Sequence, residues 1–386
     1  MNSDPQTLNI KDQTSNTFIT ALVPYKIFPA KMGGQKGIAL FYQYLSRLLP
    51  VTILSTKNNE SPINEKLDFM PVMANSKLRY INPLLFFRFK NILKKNNTTH
   101  LLLEHPYFGW LGLLLKWSCK IKLVIHSHNI EASRFKSMGK WWWRIMWQYE
   151  KMIYRNADIN FFISDEDRNF AVTNFFIEAG KCHTVTYGIE ISKAPDKEVK
   201  QSSKKYLQEH HGIKDSEKIL VFNGTLNYKP NLDALDNILQ KINPLLLENK
   251  DYWYKIIICG KGLPAAYEDL KKYASLNIIY AGFVDDIDVY FKGADIFINP
   301  VTDGGGIKTK LVEALGNDLN SVSTKSGAFG VPVSICGNKL YIADDDNWAD
   351  FTNAVMHADT NNNTAQSFYD HFYWGNIASR TAKILS

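Results

Sequence analysis

The stretch DGGGIKTKLVEAL, residues 303–315, combines residue types that can bind an anion. Its three consecutive glycines have no side chains, so a ligand can approach the backbone closely. Lys308 and Lys310 add positive charge, and the apolar residues after them recur at helical spacing. Because a helix N-terminus offers unpaired N–H groups and a partial positive charge, the pattern predicts a site for an anion such as phosphate.

Glu313, in the helix predicted to follow the glycines, adds a second kind of chemistry. A carboxylate accepts hydrogen bonds from vicinal sugar hydroxyls, and phosphate together with sugar hydroxyls indicates a nucleotide. The stretch lacks the residue pattern of a Walker phosphate-binding loop. On these residues alone, a plain strand–loop–helix turn with a solvated basic face is the alternative.

A candidate catalytic residue lies in HSHNIE, residues 126–131, directly after an apolar run. We predict that His128 acts at the site, although a lone histidine is more often a structural hydrogen-bonding residue. His126 is the competing candidate and ends the predicted strand. The two histidines could also ligate a metal, but the sequence shows no third ligand, so we predict no metal site.

Two segments are rich in aromatic and basic residues, namely residues 82–97 and residues 137–155, and the second contains four tryptophans. Tryptophan is enriched at membrane interfaces, and basic residues are attracted to anionic headgroups. The segments therefore predict contact with an anionic membrane surface. The alternative is an aromatic core helix. Trp143, Met146, Trp147 and Glu150 fall at helical spacing, so part of that stripe must pack inward.

Charge is distributed unevenly along the 386 residues. The first 190 residues carry 24 Lys/Arg and 14 Asp/Glu, whereas the whole chain has a net charge of +7. This basic half predicts an anionic partner on that side. Charge alone would also allow nucleic acid, but no recognition motif supports it, so we expect none.

The location expected from the sequence is the cytoplasm, with possible peripheral attachment at the inner face of the cell membrane. The longest near-apolar run, residues 107–115, is far below the roughly 20 residues that span a bilayer. The N-terminus is polar and does not look like a secretory signal. The four cysteines are scattered, which fits a reducing compartment.

Apolar, β-rich runs alternate with helical patterns, which predicts an α/β fold with parallel sheets. The predicted strands are residues 18–23, 51–55, 100–104, 122–126, 159–163 and 182–186, then 219–223, 255–259, 277–281 and 296–299. We predict two doubly wound, Rossmann-like domains that face each other across a cleft, with ligands beyond the carboxyl ends of the strands. The expected divisions are a disordered tail (1–16), an N-terminal domain (17–190), a linker (191–205), a C-terminal domain (206–365) and a terminal helix packed back toward the first domain (366–386).

The order of several motifs resembles one large family, the retaining GT-B glycosyltransferases of family four. The chain reads DIFINPVTDGGGIKTKLVEALG where the family's donor-nucleotide segment usually reads close to P...GGGTRLKILEA. VFNGTLNYKPNLDAL resembles the start of its second domain, and IHSHNIEASRF resembles the histidine loop of its acceptor domain. The resemblance implies a nucleotide-diphosphate sugar as co-substrate, a metal-independent enzyme without cofactors, and a glycan or lipid-linked acceptor in the basic N-terminal domain.

The resemblance also implies roles for individual residues. Glu313 matches the ribose-binding second glutamate of the family's Glu-x7-Glu motif, Lys308 the basic residue beside the pyrophosphate, and His128 the histidine near the donor sugar. These three carry the implied catalytic roles. The residues with implied donor-binding roles are Gly33, Gly34, Gly224, Lys229, Tyr280, Phe283, Asp303, Gly304, Gly305, Gly306, Ile307, Lys308, Lys310 and Glu313.

Two departures from the family pattern leave alternatives open. The first glutamate of Glu-x7-Glu falls at Gly305, so its sugar contact is missing or is supplied by Asp303. The arginine that many members carry early in the second domain is Thr225 here, and Lys229 is near enough in sequence to replace it. The alternatives are a sugar-nucleotide epimerase of the same fold and an inactive nucleotide-sugar-binding partner.

Overall fold

The computed structural model describes residues 16–30, 33–60, 67–358 and 363–386. These residues form two entirely parallel β-sheets. The strands of the first sheet are β1 (Ile19–Leu22), β2 (Val51–Thr56), β3 (Asp68–Met73), β4 (His100–Glu104), β5 (Lys122–Ser127), β6 (Ile159–Phe162) and β7 (Cys182–Thr184). Those of the second are β8 (Lys218–Asn223), β9 (Tyr254–Cys259), β10 (Ile278–Gly282), β11 (Ile296–Asn299), β12 (Asn320–Thr324) and β13 (Leu340–Ala343).

The strand order shows a doubly wound topology in each sheet. The first sheet, hereafter with its helices the first unit, has the order β3-β2-β1-β4-β5-β6-β7, and the second, in the second unit, has β10-β9-β8-β11-β12-β13. In both, the order reverses beside the first strand of the unit. Such a reversal separates neighbouring strand ends and leaves a crevice for a ligand.

Helices connect the strands. Those of the first unit are α1 (Gly33–Leu45), α2 (Leu84–Lys95), α3 (Gly109–Cys119), α4 (Glu131–Ser137), α5 (Trp143–Asn156) and α6 (Asp165–Phe175). Those that follow are α7 (Lys197–His211), α8 (Lys229–Asn237), α9 (Asn243–Glu248), α10 (Ile287–Gly293), α11 (Thr309–Gly316), α12 (Trp348–His357), α13 (Gln366–Phe372) and α14 (Trp374–Leu385). Within the described residues, every helix is too short or too polar to cross a bilayer.

Buried apolar clusters hold these layers together. One packs α2, α3, α5 and α6 onto the first sheet and includes Phe89, Leu111, Tyr154 and Phe175. Another covers the opposite face of that sheet through α1 and α14 and continues into the second unit, where it includes Val221 of β8 and Leu311 of α11. The two units therefore share a buried apolar contact as well as a cleft.

All ten predicted strands overlap observed strands, but β3, β12 and β13 were not predicted. β3 is an edge strand interrupted by Pro71, and only two of its six residues are buried, so it lacks a continuous apolar run. β12 buries hydroxyl side chains, including Ser321 and Ser323, in place of apolar ones. β13 has only four residues. β3 and β12 thus lack the continuous apolar run that made other strands predictable. β13 has the apolar sequence LYIA and the same length as β1, so neither its length nor its composition explains why it was not predicted.

The predicted linker and terminal helix differ from the structure. Residues 197–205 of the predicted linker, 191–205, belong to helix α7, which buries Ser203 and Leu207 one turn apart against α10. Because the segment contains numerous lysines, the sequence indicated a polar linker and not this short buried face. Residues 366–386 form two helices, because Tyr373 is extended and Ile189 hydrogen-bonds on both sides of it. Residues 1–15 of the predicted tail lie outside the described residues.

The C-terminal helices reach both units. Trp374 of α14 packs against Phe41 of α1, with 6.4 Å between ring centroids. Tyr369 of α13 donates a hydrogen bond to the carbonyl of Gly316, at the end of α11, at 2.9 Å. The chain end therefore crosses from the second unit back to the first.

Candidate active site

Two helix N-termini meet between the units. Helix α1 begins at Gly33 and helix α11 at Thr309, and a Cβ placed on Gly33 would lie 3.0 Å from Thr309 Oγ1. Lys36 and Lys310 stand in the first turns of these helices. Both termini carry partial positive charge and unpaired N–H groups, so their approach is favourable when an anion lies beside them.

A cavity of about 380 Å³, hereafter the helix-terminus cavity, lies at this junction. Strands β8, β9 and β10 end at its wall, which is where an open α/β sheet binds ligands. Loops of both units contribute to its lining, which includes Gly33, Lys36, Gly224, Lys261, Phe283, Lys310 and Glu313. The structure thus brings together the predicted residues Gly33, Gly224, Phe283, Lys310 and Glu313.

Glu313 presents a buried carboxylate at the wall of this cavity. Its Oε1 accepts a hydrogen bond from the hydroxyl of Tyr187 at 2.7 Å, and its Oε2 pairs with Lys310 Nζ at 2.8 Å. Tyr187 follows the last strand of the first unit, so the carboxylate is held from both units. A carboxylate fixed in this way can accept hydrogen bonds from neighbouring hydroxyls of a ligand.

The predicted glycine loop lines a different cavity. This cleft cavity, of about 430 Å³, lies between the loop and helices α4 and α6. Gly306 has φ 72°, and a Cβ there would lie 2.6 Å from Asn129 Oδ1, so glycine is required on two grounds. The lining shared by both units includes Asn129, Ser133, Arg134, Glu166, Asp167, Phe170, Asp303, Gly304, Gly305, Gly306 and Phe329.

Lys308 lies beneath the glycine loop. Its Nζ donates hydrogen bonds to the carbonyls of Gly304 at 2.5 Å and Gly306 at 3.1 Å. Burial lowers the pKa of Lys308 to about 8, although the carboxylates of Asp303 and Asp167 act in the opposite direction. Lys308 therefore braces the loop in this structure, and it lines neither cavity.

Four other predicted donor residues lie outside both cavity linings. Lys229 is exposed and pairs with Asp233 at 2.6 Å, so sequence proximity to Thr225 did not place its ammonium group in the cavity. The hydroxyl of Tyr280 donates to the carbonyl of Gly260, which precedes the lining residue Lys261. Gly34 has open space around it, and Ile307 packs beside Gly330.

His128 is held by a buried carboxylate that the sequence did not indicate. Glu104 ends β4 and is paired in register with His126 of β5. His128 Nε2 lies 2.5 Å from Glu104 Oε2, and His126 Nδ1 lies 3.1 Å from Glu104 Oε1. Burial alone would raise the pKa of Glu104, but the two imidazoles hold it well below its usual range. Burial and the neighbouring His126 lower the pKa of His128 to about 4.

These three side chains correct the expectation that the histidine pair has no third metal ligand nearby. The possible ligand atoms of Glu104, His126 and His128 lie within 4.8 Å of one another. Each imidazole, however, contacts a different carboxylate oxygen at hydrogen-bond distance, and Tyr42 also donates to Oε1. The carboxylate thus contacts each ring through a separate oxygen.

The aromatic-basic segments form the outer surface of one helical layer. Trp141 is 82% exposed, Ile145 and Phe87 are each 65% exposed, and Trp117 of the adjacent α3 is 62% exposed. The inward stripe is as predicted, since Met146 and Glu150 are buried. Trp142 is instead packed against Phe135, with ring centroids 4.3 Å apart.

Glu104, Tyr187, Asn129 and Asp167 were missed as site residues. Glu104 ends the apolar run HLLLE, and a charge at that position was the available signal. Register between strands places it beside His126, and register is not visible in a single sequence. Tyr187 and Asn129 meet their partners only after the two units pack together.

Comparison with known proteins agrees with this architecture. Residues 33–193 match the family described as Glycosyltransferase Family 4, and residues 217–360 match the family described as Glycosyl transferases group 1. A Klebsiella pneumoniae protein described as "Uncharacterized 44.6 kDa protein in cps region" is 26% identical over 320 residues, which are 79% of this chain and 75% of that protein.

Two further similarities are more limited. One covers only part of the sequence, and the other is a similarity of fold. The Alpha-monoglucosyldiacylglycerol synthase of Streptococcus pneumoniae is 30% identical over 122 residues, 30% of this chain and 26% of that protein. The crystal structure of Anabaena HepE in complex with UDP has a TM-score of 0.68 at 12% identity, with coverage of 95% of this chain and 99% of that chain. The two family matches fall one on each unit of a shared GT-B fold, and the chain therefore belongs to the GT-B glycosyltransferases of group 1 and family 4.

Proposed function

We propose that this glycosyltransferase moves a sugar from a nucleotide-diphosphate sugar to a glycan or lipid-linked acceptor, with retention of anomeric configuration. The observation that carries the donor proposal is the meeting of the α1 and α11 N-termini beside a buried carboxylate, Glu313. A diphosphate lies at the two termini, and the ribose hydroxyls reach Glu313. Retention rests on the family resemblance.

The remaining donor contacts follow from the cavity lining. The backbone amides of α1 and the ammonium group of Lys310 face the phosphates, and Phe283 at the rim lies beside the base. The leaving diphosphate gains negative charge during transfer, and helix termini with lysines stabilise that charge without reorganising. Such stabilisation needs no metal, so chelator should leave the rate unchanged.

The acceptor occupies the cleft cavity. Phe170 and Phe329 offer apolar rings to a sugar face, while Asn129, Ser133 and Asp167 offer polar groups to its hydroxyls. His128 adjoins the glycine loop through its backbone carbonyl, which would lie 3.3 Å from a Cβ on Gly306. The imidazole itself lines neither cavity, and its proposed role beside the donor sugar rests on the family resemblance and on this contact of its backbone with the glycine loop.

A lipid-linked acceptor fits the surface next to this cavity. Ser137 lines the cleft cavity, and the exposed Met138 and Trp141 follow it directly. Basic residues accompany these apolar groups, which favours an anionic membrane surface at the inner face of the cell membrane. The similarity to a glucosyldiacylglycerol synthase and to a protein of a cps region supports an acceptor in bacterial surface polysaccharide or glycoconjugate synthesis.

Product release distinguishes this function from its two alternatives. The donor is first chosen by thermal shift over a panel of nucleotide sugars, and the protein is then incubated with that donor and a membrane-lipid extract. We expect free nucleoside diphosphate and a glycosylated acceptor. An epimerase would instead convert the donor sugar without acceptor, and an inactive partner, conceivable because Gly305 replaces the first motif glutamate, would bind the donor unchanged.

A further inference from the structure

Glu104 is the centre of a buried network in the first unit. Its Oε1 accepts from the Tyr42 hydroxyl at 2.5 Å and contacts His126 Nδ1 at 3.1 Å, while its Oε2 contacts His128 Nε2 at 2.5 Å. Tyr42 lies on α1, the helix whose N-terminus borders the helix-terminus cavity. One fully buried carboxylate thus joins a strand end, a loop and a site helix.

The chemistry of a carboxylate fixes the protons on both rings. An ionised carboxylate only accepts hydrogen bonds, so the two ring nitrogens that face Glu104 must carry protons. A neutral imidazole has one N–H, so the opposite nitrogens, His126 Nε2 and His128 Nδ1, carry lone pairs. His126 Nε2 is buried and finds no partner among the described residues. An unpaired acceptor there is less costly than an unpaired N–H would be.

The surroundings of His128 favour a neutral ring there, because burial and the neighbouring His126 lower its pKa. His105 and His126 lie beside His128, with ring centroids 4.8 Å and 4.5 Å away, so a second positive charge would be repelled. His105 Nε2 is engaged by the Tyr25 hydroxyl at 3.0 Å, and its Nδ1 faces Glu131, which is paired with Arg134. Among the residues that the structure describes, the carboxylate in direct contact with His128 is that of Glu104.

We infer that Glu104 is a positioning residue that holds His128 as the Nε2-protonated tautomer, so that Nδ1 accepts a hydrogen bond from a sugar hydroxyl of the bound substrate. Within the described part of the chain, Nδ1 has no hydrogen-bond partner, and the side chain is 17% exposed. The inference rests on the proposed function, because the hydroxyl belongs to a sugar substrate. It assigns opposite roles to the two ring nitrogens, since His128 accepts from the substrate through Nδ1 and donates to Glu104 through Nε2.

Two substitutions of His128 separate the two ring nitrogens. The amide of asparagine reaches about as far as Nδ1, whereas that of glutamine reaches about as far as Nε2. We expect His128→Asn to release nucleoside diphosphate within about tenfold of wild type, and His128→Gln to lose about a hundredfold, like His128→Ala. Equal loss in the Asn and Gln variants, or better activity of the Gln variant, would overturn the inference.

Nitrogen-15 NMR of histidine-labelled protein reads the tautomer directly. We expect His128 of the wild type to show an Nε2 proton near neutral pH, with its signals assigned by comparison with His128→Asn. An Nδ1-protonated or fully protonated ring would overturn the inference whatever the activity. This outcome is separate from failure of the proposed function, which would appear as an absence of both nucleotide binding and transfer.

Glu104→Gln tests the positioning role itself. Because a glutamine amide can also donate, we expect a mixture of His128 tautomers and a kcat about 30-fold lower, with affinity for the nucleoside diphosphate within about threefold of wild type. Glu178→Gln, an exposed carboxylate substitution, serves as the matched control. A folded Glu104→Gln protein with wild-type kcat would contradict the role. If this variant does not fold, the comparison of His128→Asn with His128→Gln and the wild-type NMR spectrum still test the inference.

Discussion

The hydroxyl of Tyr187 donates a hydrogen bond to Glu313 Oε1 at 2.7 Å and thereby ties the end of the first sheet to the helix that follows the glycine loop. Burial and Glu313 raise the pKa of Tyr187 well above its usual value, so the hydroxyl keeps its proton. The proposed ribose-binding carboxylate is therefore oriented by a residue of the opposite unit. Donor affinity should depend on how closely the two units pack.

Tyr187→Phe should weaken donor binding while preserving the fold. Phenylalanine keeps the ring contact with Trp374, whose centroid is 5.8 Å away, and removes only the hydroxyl that orients Glu313. A net hydrogen bond contributes about 1 kcal/mol, so we expect roughly a fivefold loss of affinity. Calorimetric titration with the preferred nucleotide measures it, with Tyr206→Phe, at an exposed position of α7, as control. Unchanged donor affinity in Tyr187→Phe would show that the hydrogen bond from Tyr187 to Glu313 is not needed for donor binding.

Gly33→Ala and Gly34→Ala form a matched pair at the start of α1. A Cβ on Gly33 would lie 3.0 Å from Thr309 Oγ1, whereas a Cβ on Gly34 has nothing within 4 Å. The first substitution crowds the Thr309 side chain at the start of α11, which must shift by a few tenths of an ångström, so we expect a loss of donor affinity of up to about tenfold; the second should change it less than twofold. Equal effects of the two variants would show that the approach of the termini does not form the donor site.

Lys308 should make donor affinity depend on pH in the alkaline range. Since burial lowers its pKa to about 8, the free protein carries this charge below that pH and loses it above. The facing groups are Asp303 and Asp167. Lys308 lines neither cavity, but it is the N-cap residue of α11, so its charge still acts on a diphosphate at that terminus. A bound diphosphate therefore favours the charged form, and donor affinity should fall as pH rises above about 8, by less than about tenfold per pH unit.

The control for this effect keeps the positive charge. Arginine stays protonated throughout the range, so Lys308→Arg should show a flat affinity between pH 7 and pH 9.5. Lys308→Ala should bind the donor more weakly than wild type at every pH in the range. An identical pH profile in wild type and Lys308→Arg would assign the alkaline dependence to another group.

The exposed aromatic-basic surface should bind anionic vesicles reversibly. Each Lys or Arg near such a surface contributes about 1 kcal/mol, which salt screens, and exposed Trp141 and Ile145 add an apolar contribution that salt does not remove. Co-sedimentation should therefore require anionic lipid, weaken at high salt and fall further in a Trp141→Ala/Ile145→Ala double variant. The matched control is Trp253→Ala, which removes an exposed tryptophan from the second unit. Wild type that stays in the supernatant with anionic vesicles at low salt would rule out this surface.

The features that could be predicted from the sequence are those that a local pattern of residues determines. Apolar strands and the glycine loop were evident because each is a continuous run, and the family resemblance pointed to Glu313 and His128. Contacts that depend on register or on packing between units could not be predicted. Glu104 meets His128 only through the alignment of β4 with β5, and Lys308 turned beneath its loop because the carbonyls of Gly304 and Gly306 lie within reach. Lys229 illustrates the opposite error, since nearness in sequence did not bring it to the cavity.

A crystal structure of the complex with the nucleotide chosen by thermal shift tests the central claim most directly. We predict a diphosphate between the first turns of α1 and α11 and ribose hydroxyls within hydrogen-bond distance of Glu313. The matched soak of Glu313→Ala should show the nucleotide weakly or not at all. A nucleotide bound outside the helix-terminus cavity, with Glu313 still paired only to Tyr187 and Lys310, would contradict the account.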